Sequence, residues 1–228
     1  MNNEGFFYAY SPTILLVKLI SIFTFVTETF SDYMSLKKYS LPILLLIVIL
    51  AADQYFKLYI KNHFYLGEEI AVIGNWFKLH FTENYGMAFG LEFGGKTGKV
   101  FLTLFRVIFV SVIAYYIHTL IKKDTKPLYV YGWIMIVSGA LGNIIDSIFY
   151  GVYFGYDSWF HGRVVDMLYF PILQTTIPEN FPFWAGEEFE FFRPVFNIAD
   201  AAISIGFVII LLLQKSVSEE EETIDHSP

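Results

Sequence analysis

Four stretches of this chain are apolar for long enough to cross a bilayer, and they restrict the fold more than any other feature: Leu41 to about Leu58, Val100 to about Ile121, Leu128 to about Phe149, and Asn197 to about Leu213. A spanning helix needs about 20 predominantly apolar residues. In hydrocarbon every backbone polar group must find its partner inside the protein, so these runs predict helices. Only 16% of the 228 residues are charged and 55% are hydrophobic, whereas a soluble domain carries about 25% charged residues. Much of the net charge of −7 sits in Glu219 to Glu222 and Asp225, a tail at 215–228 expected to be disordered and solvated. No nucleic-acid partner follows from that charge. Without cysteine there is no disulfide, thiolate nucleophile or Cys-ligated metal.

The segments between the spans differ in character. Residues 1–36 are only partly apolar, with Lys18, Glu28 and Asp32; they read as an extension upstream of Met34 or as a peripheral helix, and lack the basic n-region and small-residue cleavage site of a signal peptide. Asp53 and Lys57 lie four apart near the end of the first span, on one helix face. They suit either a self-neutralising interfacial ion pair or support for a site. The region of about 62–98 is broken by glycines, and Ile70–Ile73 and Trp76–Thr82, joined by Gly74-Asn75, predict a hairpin in a small sheet. The stretch ENYGMAFG (83–90) follows it, with Asn84 able to donate and accept hydrogen bonds and Gly86 allowing close backbone approach. Gly139, Ala140 and Gly142 are small enough for tight helix packing in the third span. A long aromatic loop occupies 150–195. Lys37, Lys38, Lys122 to Lys126 and Lys215 are compactly basic beside the spans, which by the positive-inside rule puts both ends of the four-helix unit (37–214) in the cytoplasm. The sheet and the long loop then face outward.

Three aspartates interrupt this apolar background: Asp146 in GALGNIID (139–146), Asp166 in GRVVDM (162–167) and Asp200 in FNIADAA (196–202). A carboxylate at membrane depth is costly and marks a functional site unless it is paired or wet. The topology brings all three acids to the same outer end. Two carboxylates that share one proton can activate water, one as base and the other polarising a carbonyl. Spacing does not say which two. Asp200, three residues after Asn197, also fits a helix cap, and Asp146 has Arg163 as a potential ion-pair partner. Asp166, among Val164, Val165, Met167 and Leu168, has the weakest structural explanation.

Taken in order, DQYFK (53–57), ENYGMAFG, GALGNIID, GRVVDM and FNIADAA closely resemble the motifs of the lipoprotein signal peptidases, or signal peptidase II, over about residues 37 to 214. The resemblance implies an α-helical integral membrane protein with four transmembrane helices, a small extracytoplasmic β-sheet cradle and a long outer loop. It implies a bacterial inner-membrane aspartic endopeptidase, monomeric and without cofactor or metal, that meets its substrates among membrane lipids. Such enzymes remove the signal peptide of diacylglyceryl-modified prolipoproteins, cleaving before the lipidated cysteine. Carried over by motif, Asp166 and Asp200 are the dyad. Asp53, Lys57, Asn84, Gly86, Asn143, Asp146, Arg163 and Asn197 become supporting or substrate-contacting positions. Ser147 stands where many members have arginine, which leaves Arg163 as a candidate for the missing basic contact, and PENFPFWAGEEFEFFRP (178–194) makes the outer loop long for the family.

A small carrier that uses buried carboxylates for an ion or proton is the competing reading. It favours internal repeats or paired broken helices, and the sequence has no such self-similarity. His63, His80, His118 and His161 show no ligand spacing, so no metal site is expected.

Overall fold

The computed structural model describes residues 12–84, 95–171, 173–179, 186, 188–191 and 194–225. The chain divides into two compact units, Met1–Leu41 and Pro42–Pro228. Helix α1 runs over Pro12–His63, and the division falls at its internal proline, which has no N–H to donate along the helix. A hairpin follows, with β1 at Glu69–Ile73 and β2 at Phe77–Asn84, then α2 at Gly95–Lys122 and α3 at Pro127–Ile145. A π-helical turn, Asp146–Tyr150, and a short α4, Gly151–Tyr153, extend α3. Strands β3 (Val164–Tyr169), β4 (Leu173–Thr176), β5 (Glu188–Phe191) and β6 (Val195–Phe196) precede α5, Ile198–Asp225.

Among the described residues, four helices are long and apolar enough to cross a membrane: Lys37–His63, Gly95–Lys122, Pro127–Tyr153 and Ile198–Glu220. Their exposed faces carry Ile43, Leu44, Ile47, Phe101, Phe105 and Leu212. An apolar surface on this scale suits lipid. Helices α3 and α5 pack closely because glycine occupies the crossing. A Cβ at Gly139 would strike the Ala199 backbone oxygen, and one at Gly206 the Gly132 carbonyl.

The expected hairpin is present, its turn entered through Gly74 at φ +51°. The sheet is larger than the sequence implied. It is antiparallel in the order β1-β2-β3-β6, while β4 and β5 pair separately. Strands β3 and β6 come from the segment read as loop. Along β3 the side chains alternate, so Val165 and Met167 enter a core with Ile60, Phe81 and Tyr150, and Asp166 is turned to the other face.

The acidic tail departs from expectation, since α5 continues as helix to Asp225 instead of ending near 214. Glu and Lys are good helix formers, and extending an existing helix avoids the nucleation cost. Lys126 anchors the extension, with Nζ 2.5 Å from Ser216 Oγ and 3.3 Å from Glu220 Oε2.

Gly139→Ala forces α3 and α5 apart at Ala199, and overpacking of this kind costs about 1–3 kcal/mol. Thermal unfolding in detergent is expected to show that loss, while Gly155→Ala, on a loop with open space around it, is expected to be milder despite its positive φ.

Candidate active site

The site is assembled where β3, the first turn of α5, the last third of α1 and the end of α3 meet. Asp166 is supplied by β3 and is buried, with 3% of its surface exposed. Asp200 lies in the first turn of α5, where Asn197 caps the helix. The Asp200 N–H donates to Asn197 Oδ1 at 2.9 Å, and the Asn197 N–H to Asp200 Oδ2 at 3.3 Å. This is a reciprocal cap. The capping role expected of Asp200 is therefore real, but it engages one carboxylate oxygen only. The other, Oδ1, accepts from Asn143 Nδ2 at 2.9 Å.

Asn197 joins the two acids. Its Nδ2 donates to Asp166 Oδ1 at 2.7 Å and lies 3.2 Å from both the Val165 carbonyl and Asn143 Oδ1. Asn84, from the end of β2, donates through Nδ2 to Asp166 Oδ2. Burial pushes the Asp166 carboxyl up to about 8, and the neighbouring Asp200 charge adds to the rise. Lys57 and the hydrogen bonds from Asn197 and Asn84 oppose it.

Behind the asparagines lies a buried ionic cluster. Lys57 Nζ is 2.8 Å from Asp53 Oδ2, 2.8 Å from Asp146 Oδ2 and 2.9 Å from Asn143 Oδ1. All of the ammonium's three hydrogens thus have acceptors. Asp53 Oδ1 accepts from the Ala199 N–H at 2.9 Å, which ties α1 to the first turn of α5. Gly142 leaves room for this, since a Cβ there would collide with Asp53 Oδ2.

The cluster dictates amide orientation. An ammonium can only donate, so Asn143 must present Oδ1 to Lys57 and Nδ2 to Asp200. Asn143 Oδ1 also faces Asn197 Nδ2, and Asn197 Oδ1 is held by the Asp200 N–H. Both asparagines therefore aim donors at the two acids, Asn143 at Asp200 and Asn197 at Asp166.

The structure brings together Asp53, Lys57, Asn84, Asn143, Asp146, Asp166, Asn197 and Asp200, while Gly86 lies outside the described residues. Asp146 pairs with Lys57, and Arg163 Nη1 reaches Glu83 Oε2 at 3.4 Å. Ser147, at the position where many signal peptidase II sequences have arginine, is buried and donates Oγ to the Asn143 carbonyl at 2.9 Å. Sequence reasoning did not single out Gln54, whose Nε2 lies 3.1 Å from Asp53 Oδ2 and 3.0 Å from Asp146 Oδ1, while its Oε1 accepts from the Tyr150 hydroxyl at 3.1 Å. Its signal was present in DQYFK as a polar residue beside Asp53.

A family model described as signal peptidase (SPase) II matches residues 45–215. The chain belongs to the signal peptidase II family. A lipoprotein signal peptidase of Porphyromonas gingivalis is 44% identical over 184 residues, covering 74% of this chain and 80% of the relative. One from Amoebophilus asiaticus is 39% identical over 201 residues, 82% of this chain and 83% of the relative. One from Chlorobaculum parvum is 31% identical over 176 residues, covering 76% and 94%. Two solved structures of bacterial membrane enzymes, determined in meso, share the fold. Their TM-scores are 0.55 and 0.52 at 22% and 24% identity, and they cover 82% and 76% of this chain and 91% of each matched chain. The protein is thus an integral membrane peptidase of the signal peptidase II family.

Removing the Lys57 charge strands Asp53 and Asp146 in the interior. Lys57→Met is expected to cost about 3–5 kcal/mol, measured by unfolding in detergent, and adding Asp146→Asn is expected to recover part of that loss.

Proposed function

We propose that this signal peptidase II cleaves diacylglyceryl-modified prolipoproteins before the lipidated cysteine, with Asp166 and Asp200 as the catalytic pair. The supporting observation is that the two carboxylates share one bridging residue, Asn197, and that Asp166 is pushed up to about 8 by burial and by Asp200. Such a pair holds one proton near neutral pH. The family relatives are named lipoprotein signal peptidases, which supports the substrate class. The diacylglyceryl requirement, monomeric action among membrane lipids, and an active site on the outer side of the bacterial inner membrane belong to the same reading, as does a substrate-facing role for Gly86.

Asp200, ionised, takes a proton from water as the water oxygen bonds to the scissile carbonyl carbon. Asp166, protonated, gives its proton to the carbonyl oxygen. The gem-diol then collapses as its hydroxyl returns a proton to Asp166. The C–N bond breaks, and Asp200 delivers its proton to the departing amine. Asn143 and Asn197 hold Asp200, and Asn84 and Asn197 hold Asp166. Lys57, Asp53 and Asp146, buried behind them, fix those amides.

Asp166→Asn and Asp200→Asn are each expected to reduce cleavage of a lipidated prolipoprotein by about 100- to 10,000-fold while leaving unfolding in detergent nearly unchanged. Full activity in both variants contradicts the assignment. Because the productive form carries its proton on Asp166, kcat is expected to fall as pH rises through about 8. A rate that stays flat to pH 10 contradicts it.

A further inference from the structure

A second charged cluster lies on the sheet face opposite the dyad, and the peptidase reading leaves it without a role. Thr82 pairs with Asp166 and Glu83 with Val165. Alternation therefore puts Thr82 and Asn84 on the Asp166 face and Glu83 on the core face with Phe81. The Glu83 side chain is only 8% exposed, and two cations reach it: Lys61, from the end of α1, at Oε1, and Arg163, just before β3, at Oε2. Lys61 Nζ also lies 4.6 Å from the centre of the Phe154 ring and 4.8 Å from that of Tyr156. The Tyr156 hydroxyl accepts from the Arg163 N–H at 2.6 Å. One carboxylate thus ties together the ends of α1, β2 and β3 and the loop after α4.

We propose that Glu83 is a positioning residue for the reaction: by clamping the adjoining ends of β2 and β3 it holds Asn84 against Asp166. The proposal rests on the assignment of Asp166 and Asp200 as the catalytic pair. The β2–β3 register is broken by an irregularity between Leu79 and Thr82, so pairing at the far end of the hairpin does not fix it beside the dyad. A slip of one residue turns every side chain to the opposite face, and would carry Asn84 away from Asp166. With Glu83 bound by Lys61 and Arg163, that slip would drag a carboxylate off two cations. Buried ion pairs contribute little net stability, and setting register is their best-attested use. The charged groups facing Glu83 are Lys61 and Arg163, with the Tyr156 phenol beside them. Those facing Asp166 are Asp200 from α5 and Lys57 from α1.

The test is steady-state cleavage across pH by the full-length enzyme and by Glu83→Gln, Glu83→Asp, Asn84→Ala and the Glu83→Gln/Asn84→Ala double variant. Misplacement near an active site costs up to about 100-fold in rate. Glu83→Gln is expected to lower kcat about 10- to 100-fold with KM little changed. It is also expected to move the alkaline limb of kcat to higher pH, because the Asn84 hydrogen bond favours the Asp166 carboxylate and its loss favours the protonated form. Glu83→Asp is expected to recover part of the rate. In the Asn84→Ala background Glu83→Gln is expected to add almost nothing, as residues acting through one contact are non-additive. Wild-type kcat and pH profile in Glu83→Gln overturn the proposal. So does a full Glu83→Gln effect that persists without Asn84. If Glu83→Gln fails to fold, Lys61→Met, which leaves Arg163 on Glu83, takes its place in the same cycle, with the same expected and overturning results. Activity in Asp166→Asn would instead remove the dyad assignment, whereas an inert Asp166→Asn beside an unaffected Glu83→Gln removes only the clamp.

Discussion

The arrangement depends on one buried cation that has nothing to do but donate. Lys57 sits with none of its surface exposed, against Asp53, Asp146 and Asn143. Moving an ammonium and two carboxylates out of water costs several kcal/mol per ion, so this cluster is a poor device for stability alone. Its effect is directional. With no acceptor on the ammonium, Asn143 and then Asn197 are left one way to lie, and in that way their N–H groups face Asp200 and Asp166. An amide in a neutral pocket would turn over at little cost. Here turning would put an amide nitrogen against a lysine and an oxygen against a carboxylate.

Two kinds of backbone meet at this point, and each supplies what the other lacks. The helices satisfy their own amides in hydrocarbon and approach closely through glycine, which allows Asp53 on α1 to cap the Ala199 N–H on α5. A strand, by contrast, exposes alternate faces, so β3 can bury Val165 and Met167 and still present Asp166. The π-helical turn at Asp146–Tyr150 connects the two. It leaves the Ser147 and Ile148 carbonyls to accept from the Gly162 and Phe160 N–H groups at 2.9 and 3.1 Å, bringing the chain back toward β3. Such turns are frequent at functional sites because they break the regular ladder in one place.

Much of this is written in the sequence as misplaced polarity. Asp146, Asp166 and Asp200 stand out because carboxylates are rare in apolar runs, and the hairpin because Gly74-Asn75 interrupts two β-rich stretches. Lys57 was legible as a partner of Asp53 by helical spacing, but its bond to Asp146 bridges 89 positions in sequence and leaves no periodic trace. Arg163 is one partner that the sequence offers Asp146. The parity of β3 sends it to Glu83 instead. Strands β3 and β6 are faint in the sequence for a similar reason: each is short, sits in a proline-containing segment, and becomes a strand only by pairing with a neighbour distant in the chain. The helical end of α5 was missed because a run of glutamates reads as a solvated tail until Lys126 is found beside it.

On this mechanism the pair Asp166 and Asp200 carries one proton at neutral pH, and that proton resides on Asp166. Infrared difference spectroscopy of the purified enzyme over a pH titration observes that proton directly, as the C=O stretch of a neutral carboxyl. The expected result is a band that disappears as pH rises through about 8 and is absent from Asp166→Asn. A titrating band that survives in Asp166→Asn and is lost in Asp200→Asn would place the proton on the other acid and contradict it.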